Sequence, residues 1–500
     1  MSIRSKATAA VATAAAVTLF AGTAFAAAPG APGVGDPYFP SYGNGGYDVS
    51  HYDIRLNYQP AGDKLSGTTT ILAKATEDIT QFNLDFRLKV KSIRVNNAVA
   101  SYSQADGELV VTPRGGLRKG QDLTVVVTYD DVPSAVKDQN GFAAWEKTAD
   151  GAIGIGEPEI AAWWFPSNDH PTDKATFDVS VAVPDGVEVL SNGRFLGQTR
   201  QINGWSRWNW RSTKPQATYL TFVAIGQFEI RQSTAPNGQP VVNAYSERLG
   251  ENGDAAKASI ERTPEVIEFL EQNVGPYAFE AQGGVVTPDL GYALENQTRP
   301  TYDTAFFRRG ANTYVVAHEL GHQWFGDSVS VHHWRDIWLN EGFASYMEFL
   351  WSEHVGEGTA QENADFTYDS YPADSPFWQV LPGDPGADKV FDGAVYDRGA
   401  LTVHALRVAV GDAKFFEILK TWTAKKRYSD ATIEEFIAHA EEISGQPLDE
   451  LFNTWLFTKG KPAEAPGRAS VGVAAKSVTA EPKAHQKIKL THELLDANKH

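Results

Sequence analysis

The chain has 500 residues, 42% of them hydrophobic and 11% aromatic, too many for one ordinary core and enough for two or three domains. Lys and Arg number 44 against 62 Asp and Glu, a net charge of −18, which argues against nucleic acid or an anionic membrane surface as the main partner. The absence of cysteine excludes disulfides, a thiol nucleophile and a cysteine-zinc knuckle.

The chain opens as an export signal. Arg4 and Lys6 precede an uncharged Ala/Val/Leu-rich run at 7–20, and Ala24-Phe25-Ala26 is a small-x-small cleavage site. Residues 1–26 are therefore expected to be removed, leaving a secreted protein. The run is too short and Ala-rich for a membrane anchor, and no second span of about 20 apolar residues follows. Residues 27–46 are rich in Ala, Pro and Gly and read as a linker. From 47 to 232, short β-branched runs alternate with NG, DG and GG turns, the pattern of an all-β, sandwich-like domain.

The character then changes. Helical periodicity is expected at 255–272, where Pro264 interrupts or restarts it, and at 313–325, 336–354, 399–410 and 432–444. A strand-like piece lies at 283–287. These elements define a second, mainly helical domain over 233–460, giving a multi-domain α+β protein. Residues 461–500 are Ala/Pro/Lys/Val-rich and end in a short amphipathic segment, expected to be a poorly ordered or added tail.

The chemistry concentrates between residues 315 and 350. His318-Glu319-Leu320-Gly321-His322 has the form H-E-x-x-H. Helix positions four apart differ by about 40° in azimuth, so both imidazoles leave one face and can share one Zn²⁺. Val315, Val316 and Leu320 supply a face to bury this helix. Eighteen residues separate His322 from Glu341, which can complete a His₂Glu site whose fourth position stays open for water. That is a catalytic arrangement, with one zinc ion per chain. Glu319 lies beside the ligands and can reach a water on the metal. His332 and His333 compete as ligands but lack a partner at i, i+4. Asp327 and Glu348 are open to two readings, as groups that orient an imidazole or as helix-flank charges.

Within HELGHQWFGD and WLNEGFASYMEF, this spacing resembles the M1 family of zinc aminopeptidases, the gluzincins, over about residues 47–460. The resemblance implies an N-terminal β-saddle domain and a thermolysin-like catalytic domain. The family's G-x-M-E-N element is matched at Tyr292-Ala293-Leu294-Glu295-Asn296, with Gly291 before it and Thr301-Tyr302 after. It implies that Glu295 binds the substrate's free α-amino group. Tyr292 in place of Gly and Leu294 in place of Met alter the pocket for the first side chain. Asn168-Asp169-His170-Pro171 resembles another family element, and counting back from it implies Glu157 as the second amine anchor, with Glu159 as its rival. Tyr396, in a segment like Y-x-K-G-A with Arg398 for Lys, takes the role of the transition-state tyrosine. The resemblance thus implies a zinc aminopeptidase in which Glu319 is general base and Gly291, Tyr292 and Ala293 pair with the peptide backbone. Its partners are peptides with a free N-terminal amine, not nucleic acid or membrane, and the protein is expected to be a monomer. A thermolysin-like endopeptidase and a non-catalytic zinc-binding module are the alternatives.

Overall fold

The computed structural model describes residues 28–139, 141–288, 290–468 and 480–498; the expected export signal lies outside them. The N-terminal half is built on an eight-stranded sheet. Its middle strands, Tyr47–Gln59 and Lys64–Ala75, pair antiparallel over almost their whole length. Alternation of side chains decides which face is buried: Ile54, Leu56 and Tyr58 point inward while Arg55 and Asn57 face solvent. A bulge between Val49 and His51 resets the phase, so that both Val49 and Tyr52 reach the core. Two four-stranded sheets complete this domain. The lead-in expected as a linker is packed onto it, since Ala28–Pro29 pairs with Ile79–Asp85 and Asp36 is buried.

The second domain has a five-stranded sheet in the order Phe228–Thr234, Pro240–Ser246, Gln282–Thr287, Thr301–Asp303, Ala293–Leu294. The boundary expected after residue 232 therefore cuts a strand. Phe228–Thr234 pairs with Pro240–Ser246, so it belongs with the second domain, although its composition matches the β runs before it. Helices α1 (Gly253–Ile260) and α2 (Thr263–Val274) are split where Pro264 restarts the helix in its first turn. Then come α3 (Thr313–His322), α4 (Trp338–Val355), α5 (Ala360–Ser370), α6 (Gly393–Val410), α7 (Asp412–Lys425), α8 (Ile433–Ser444) and the one-turn α9 (Asp449–Phe452). Helix α6 begins six residues before the expected start, because the Asp392 side chain caps it by accepting from Ala394 N–H. A further helix, α10 (His485–Asn498), stands where the sequence suggests a poorly ordered tail. Ile488, Leu490 and Leu495 are buried there, which supplies the packing that orders it. Among the described residues no helix is long and apolar enough to cross a membrane.

Helices α3 and α4 form the centre of the second domain. Tyr314 to His322 is buried without a break, as is Trp338 to Ser352. Helices apolar on every side belong inside a protein, and here the buried imidazoles and carboxylates, His318, Glu319, His322, Glu341 and Glu348, gather at one place.

Candidate metal centre

Helix α3 starts at Asn312, whose side chain accepts from Tyr314 N–H, and ends as the chain turns at residues 323–326. Its last two turns carry His318 and His322 on one face, and α4 brings Glu341 against them. The three potential donor atoms nearly form an equilateral triangle. His318 Nε2 is 3.2 Å from His322 Nε2, and each is 3.3 Å from Glu341 Oε2. A tetrahedral ion with bonds of about 2.0–2.1 Å has ligand–ligand edges of roughly 3.3–3.4 Å. The triangle therefore fits one face of such a tetrahedron, and the donor set suits zinc.

The far nitrogen of each ring is fixed. His318 Nδ1–H donates to Glu348 Oε1 at 2.8 Å, and His322 Nδ1–H donates to the Phe325 carbonyl at 3.0 Å. Both bonds leave the Nε2 lone pairs facing the shared point. Glu348 thus orients an imidazole. Asp327, buried beside the site, makes no hydrogen bond through either carboxylate oxygen among the described residues. Its carboxyl is pushed well above the usual range, by burial first and then by Glu295. His322 shows how anionic the region is: burial alone would lower its pKa, but Glu341, Glu295 and Glu319 outweigh that and raise it to about 10. The site is built to hold positive charge. His318, Glu348 and His492 form a second gathering of donors, but hydrogen bonds of 2.8 and 2.7 Å already join its atoms.

Further expected residues meet at the same place. Oxygens of Glu319 and Glu295 lie within 4.8 Å of each other and of a His322 ring nitrogen. Glu295 is held by Gln323, a residue the sequence reading did not single out. Gln323 Nε2 donates to the Glu295 carbonyl at 2.8 Å, while its Oε1 accepts from Thr298 N–H at 2.8 Å. The H-E-x-x-H helix thereby anchors the Glu295 segment one residue past its second histidine. Both carboxylate oxygens of Glu295 are buried without a hydrogen bond among the described residues. Glu157 is buried on the N-terminal domain side. The Tyr219 phenol is held protonated far above its usual range, by burial and then by Glu295, Glu157, Asp327 and Glu341, so the two domains' carboxylates converge around it. Glu159 is instead paired with Arg87 at 3.4 Å.

The segment before Glu295 forms an edge. Ala293–Leu294 is the outer strand of the five-stranded sheet, and Asp303 Oδ2 accepts from Gly291 N–H at 2.8 Å. Tyr292 O–H reaches the Ile155 carbonyl at 3.4 Å, linking this edge to the loop that carries Glu157. The Tyr396 ring lies parallel to the His318 ring, with centroids 6.0 Å apart. Arg398, the departure from the family's Lys, points away from the site. Its guanidinium donates to the carbonyls of Trp378, Val380, Thr454, Trp455 and Thr458. His332 and His333 are not brought to the centre: His332 bonds Asp430 near the surface, and His333 caps the turn before α4.

The Peptidase M1 N-terminal domain matches residues 49–220, and the Peptidase family M1 domain matches residues 258–455. The glutamyl aminopeptidase of Rattus norvegicus is 27% identical over 453 residues, which cover 82% of this chain and 47% of that protein. The chain spans about half the length of the curated relatives it matches. The M1 zinc metallopeptidase of Deinococcus radiodurans superposes with a TM-score of 0.79 at 29% identity, covering 88% of this chain and all of that one. A variant of that enzyme bound to a Tyr-Ser-Ala substrate gives a TM-score of 0.76 at 28% identity, covering 87% and 99% of the two chains.

Proposed function

The chain belongs to peptidase family M1, and from that premise we propose that it is a zinc-dependent aminopeptidase acting on peptides with a free N-terminal amine. His318, His322 and Glu341 would hold the ion. When bound, zinc supplies Lewis-acid chemistry, acidifying water and polarising a carbonyl. Glu319 accepts the proton of the attacking water on its carboxylate and returns it to the departing amine nitrogen. The Tyr396 O–H donates to the substrate carbonyl oxygen as that atom gains charge. The edge strand at Ala293, with Gly291 and Tyr292 before it, pairs with the peptide backbone.

One observation carries the choice of an exopeptidase: Glu295 is buried with neither carboxylate oxygen hydrogen-bonded among the described residues. Such a group is costly unless a cation arrives. An α-ammonium group, steadied also by Glu157, answers that need, whereas an internal peptide bond brings no charge. The test is an aminoacyl anilide assayed beside its N-acetylated form. The free amine is expected to react roughly 10⁴–10⁵-fold faster, as for a site whose polar groups are left unpaired by the wrong substrate. Equal rates would identify an endopeptidase. Export through the segment ending at Ala26 and a monomeric state belong to the same reading. N-terminal sequencing of the mature protein and sedimentation equilibrium test them.

A further inference from the structure

Helix α10 touches each of the helices that build the metal centre. Thr491 Oγ accepts from Asn312 Nδ2 at 3.2 Å, and Asn312 is the residue that caps α3. From the next position, the His492 ring enters between α4 and α6. Its Nε2 bonds Glu348 Oε1 at 2.7 Å and its Nδ1 bonds Asp397 Oδ1 at 2.7 Å. Glu348 Oε1 is the atom that receives His318 Nδ1–H. Asp397 follows Tyr396, and the His492 ring lies 6.0 Å from the Tyr396 ring and 6.1 Å from the His318 ring, centroid to centroid. A buried carboxylate that accepts from two rings at one oxygen has its orientation set by both.

We propose that His492 is a positioning residue of the metal centre: carried in by the C-terminal helix and braced on Asp397, it holds Glu348 against His318 and so fixes the ring that presents Nε2 to the ion. The chain Asp397–His492–Glu348–His318 extends the support of one ligand to a segment far outside the H-E-x-x-H element. Tyr371 O–H bonds the other oxygen of Asp397 and completes the brace. The burial of Leu490 and Leu495 keeps α10 docked, so that His492 stays in register with Glu348.

The inference rests on the metal-site reading but needs no turnover to be tested. Zinc affinity is measured on the full chain by competition with a chromogenic chelator, for the parent, His492→Ala and His492→Gln. Loss of a hydrogen-bond partner behind a metal ligand typically costs 10–100-fold in affinity, and that weakening is expected for His492→Ala. His492→Gln retains an N–H for Glu348 and is expected to lose less. Melting of the zinc-free proteins is followed in parallel. Zinc affinity within twofold of the parent in both variants overturns the proposal, and so does a fall in zinc-free stability with affinity unchanged, the mark of a merely structural helix. A parent that binds no zinc would instead defeat the metal-site reading itself.

Discussion

Glu319 and Glu295 are buried glutamates within reach of the same His322 nitrogen, and substitution should separate their roles. Glu319→Gln keeps the volume and removes the proton acceptor. Its kcat is expected to fall by about 10²–10⁴-fold, with zinc still bound at one ion per chain by atomic absorption. Parental turnover at full zinc occupancy would remove the general base from the mechanism. Glu295→Gln should act on recognition. A hydrogen bond to a charged group contributes about 1.5–3 kcal/mol, so kcat/KM for the free amine should drop by roughly 10–10²-fold. The rate on the acetylated substrate should stay the same, so the ratio between the two narrows. If both substrates slow equally, Glu295 serves the chemistry and not the amine. The convergence of His318 and His322 was legible in the sequence because i, i+4 spacing on a helix fixes direction without tertiary information. Gln323 and His492 were not, because their partners, Glu295 and Glu348, lie 28 and 144 positions away.

At the scale of elements, the approach of α6 to α4 decides where Tyr396 sits. The two helices meet at glycines. A Cβ on Gly399 would come within 2.9 Å of the Gly342 Cα and 2.8 Å of the Trp338 indole, and a Cβ on Gly342 would come within 3.1 Å of the Gly399 carbonyl carbon. Backbone on one side and a buried Trp on the other leave little room to yield. Gly399→Ala should therefore push α6 outward. Overpacking of this kind costs about 1–3 kcal/mol, readable as a lower urea midpoint. Tyr396 is one turn earlier on α6, so kcat should fall more than KM rises. Parental values of both midpoint and kcat would mean that the contact relaxes freely. The Y-x-K-G-A resemblance marked this glycine as a motif letter; the structure gives its physical cause. The sequence suggested a poorly ordered tail in place of α10 for a related reason. Its helix is short and bounded by Ala/Pro-rich chain, and isolated helices of that length are marginal until they dock. Docking is a property of α3, α4 and α6, not of the segment itself.

At the scale of the whole molecule, contacts across the domain junction hold the halves of the site in register. Lys174 Nζ donates to the carbonyls of Asp327, Ser328 and Ser429, and Arg299 reaches from the second domain to carbonyls of Ser191 and Gly193. Composition could place the domain boundary to within a strand, but it could not show these bonds, since each joins groups brought together only by folding. The lead-in supplies a third link, with a pH signature. Asp36 accepts from the Trp334 N–H just before α4 at 2.8 Å and lies 3.4 Å from His170 Nε2 in the N-terminal domain. Burial pushes its pKa up, but the bonds from His170, Trp334, Phe39 and Tyr38 outweigh it and lower the pKa to about 2. The native carboxylate thus binds its proton less readily than the unfolded one, whose pKa is near 3.8. The linkage therefore stabilises the protein fully above about pH 4, and that contribution is lost as pH falls through 2. Asp36→Asn should accordingly unfold at lower urea than the parent at pH 6, by about 1–2 kcal/mol. The difference should shrink steadily as pH is lowered from 4 towards 3, because the unfolded parent's carboxylate, with its pKa near 3.8, then takes up a proton that the native carboxylate does not. A gap that stays constant over that range would show that the substitution acts through packing alone. A single transition in the parent at pH 6, followed by tryptophan fluorescence and circular dichroism together, is the accompanying expectation, since Asp36 bonds both domains and neither can open without breaking the clasp.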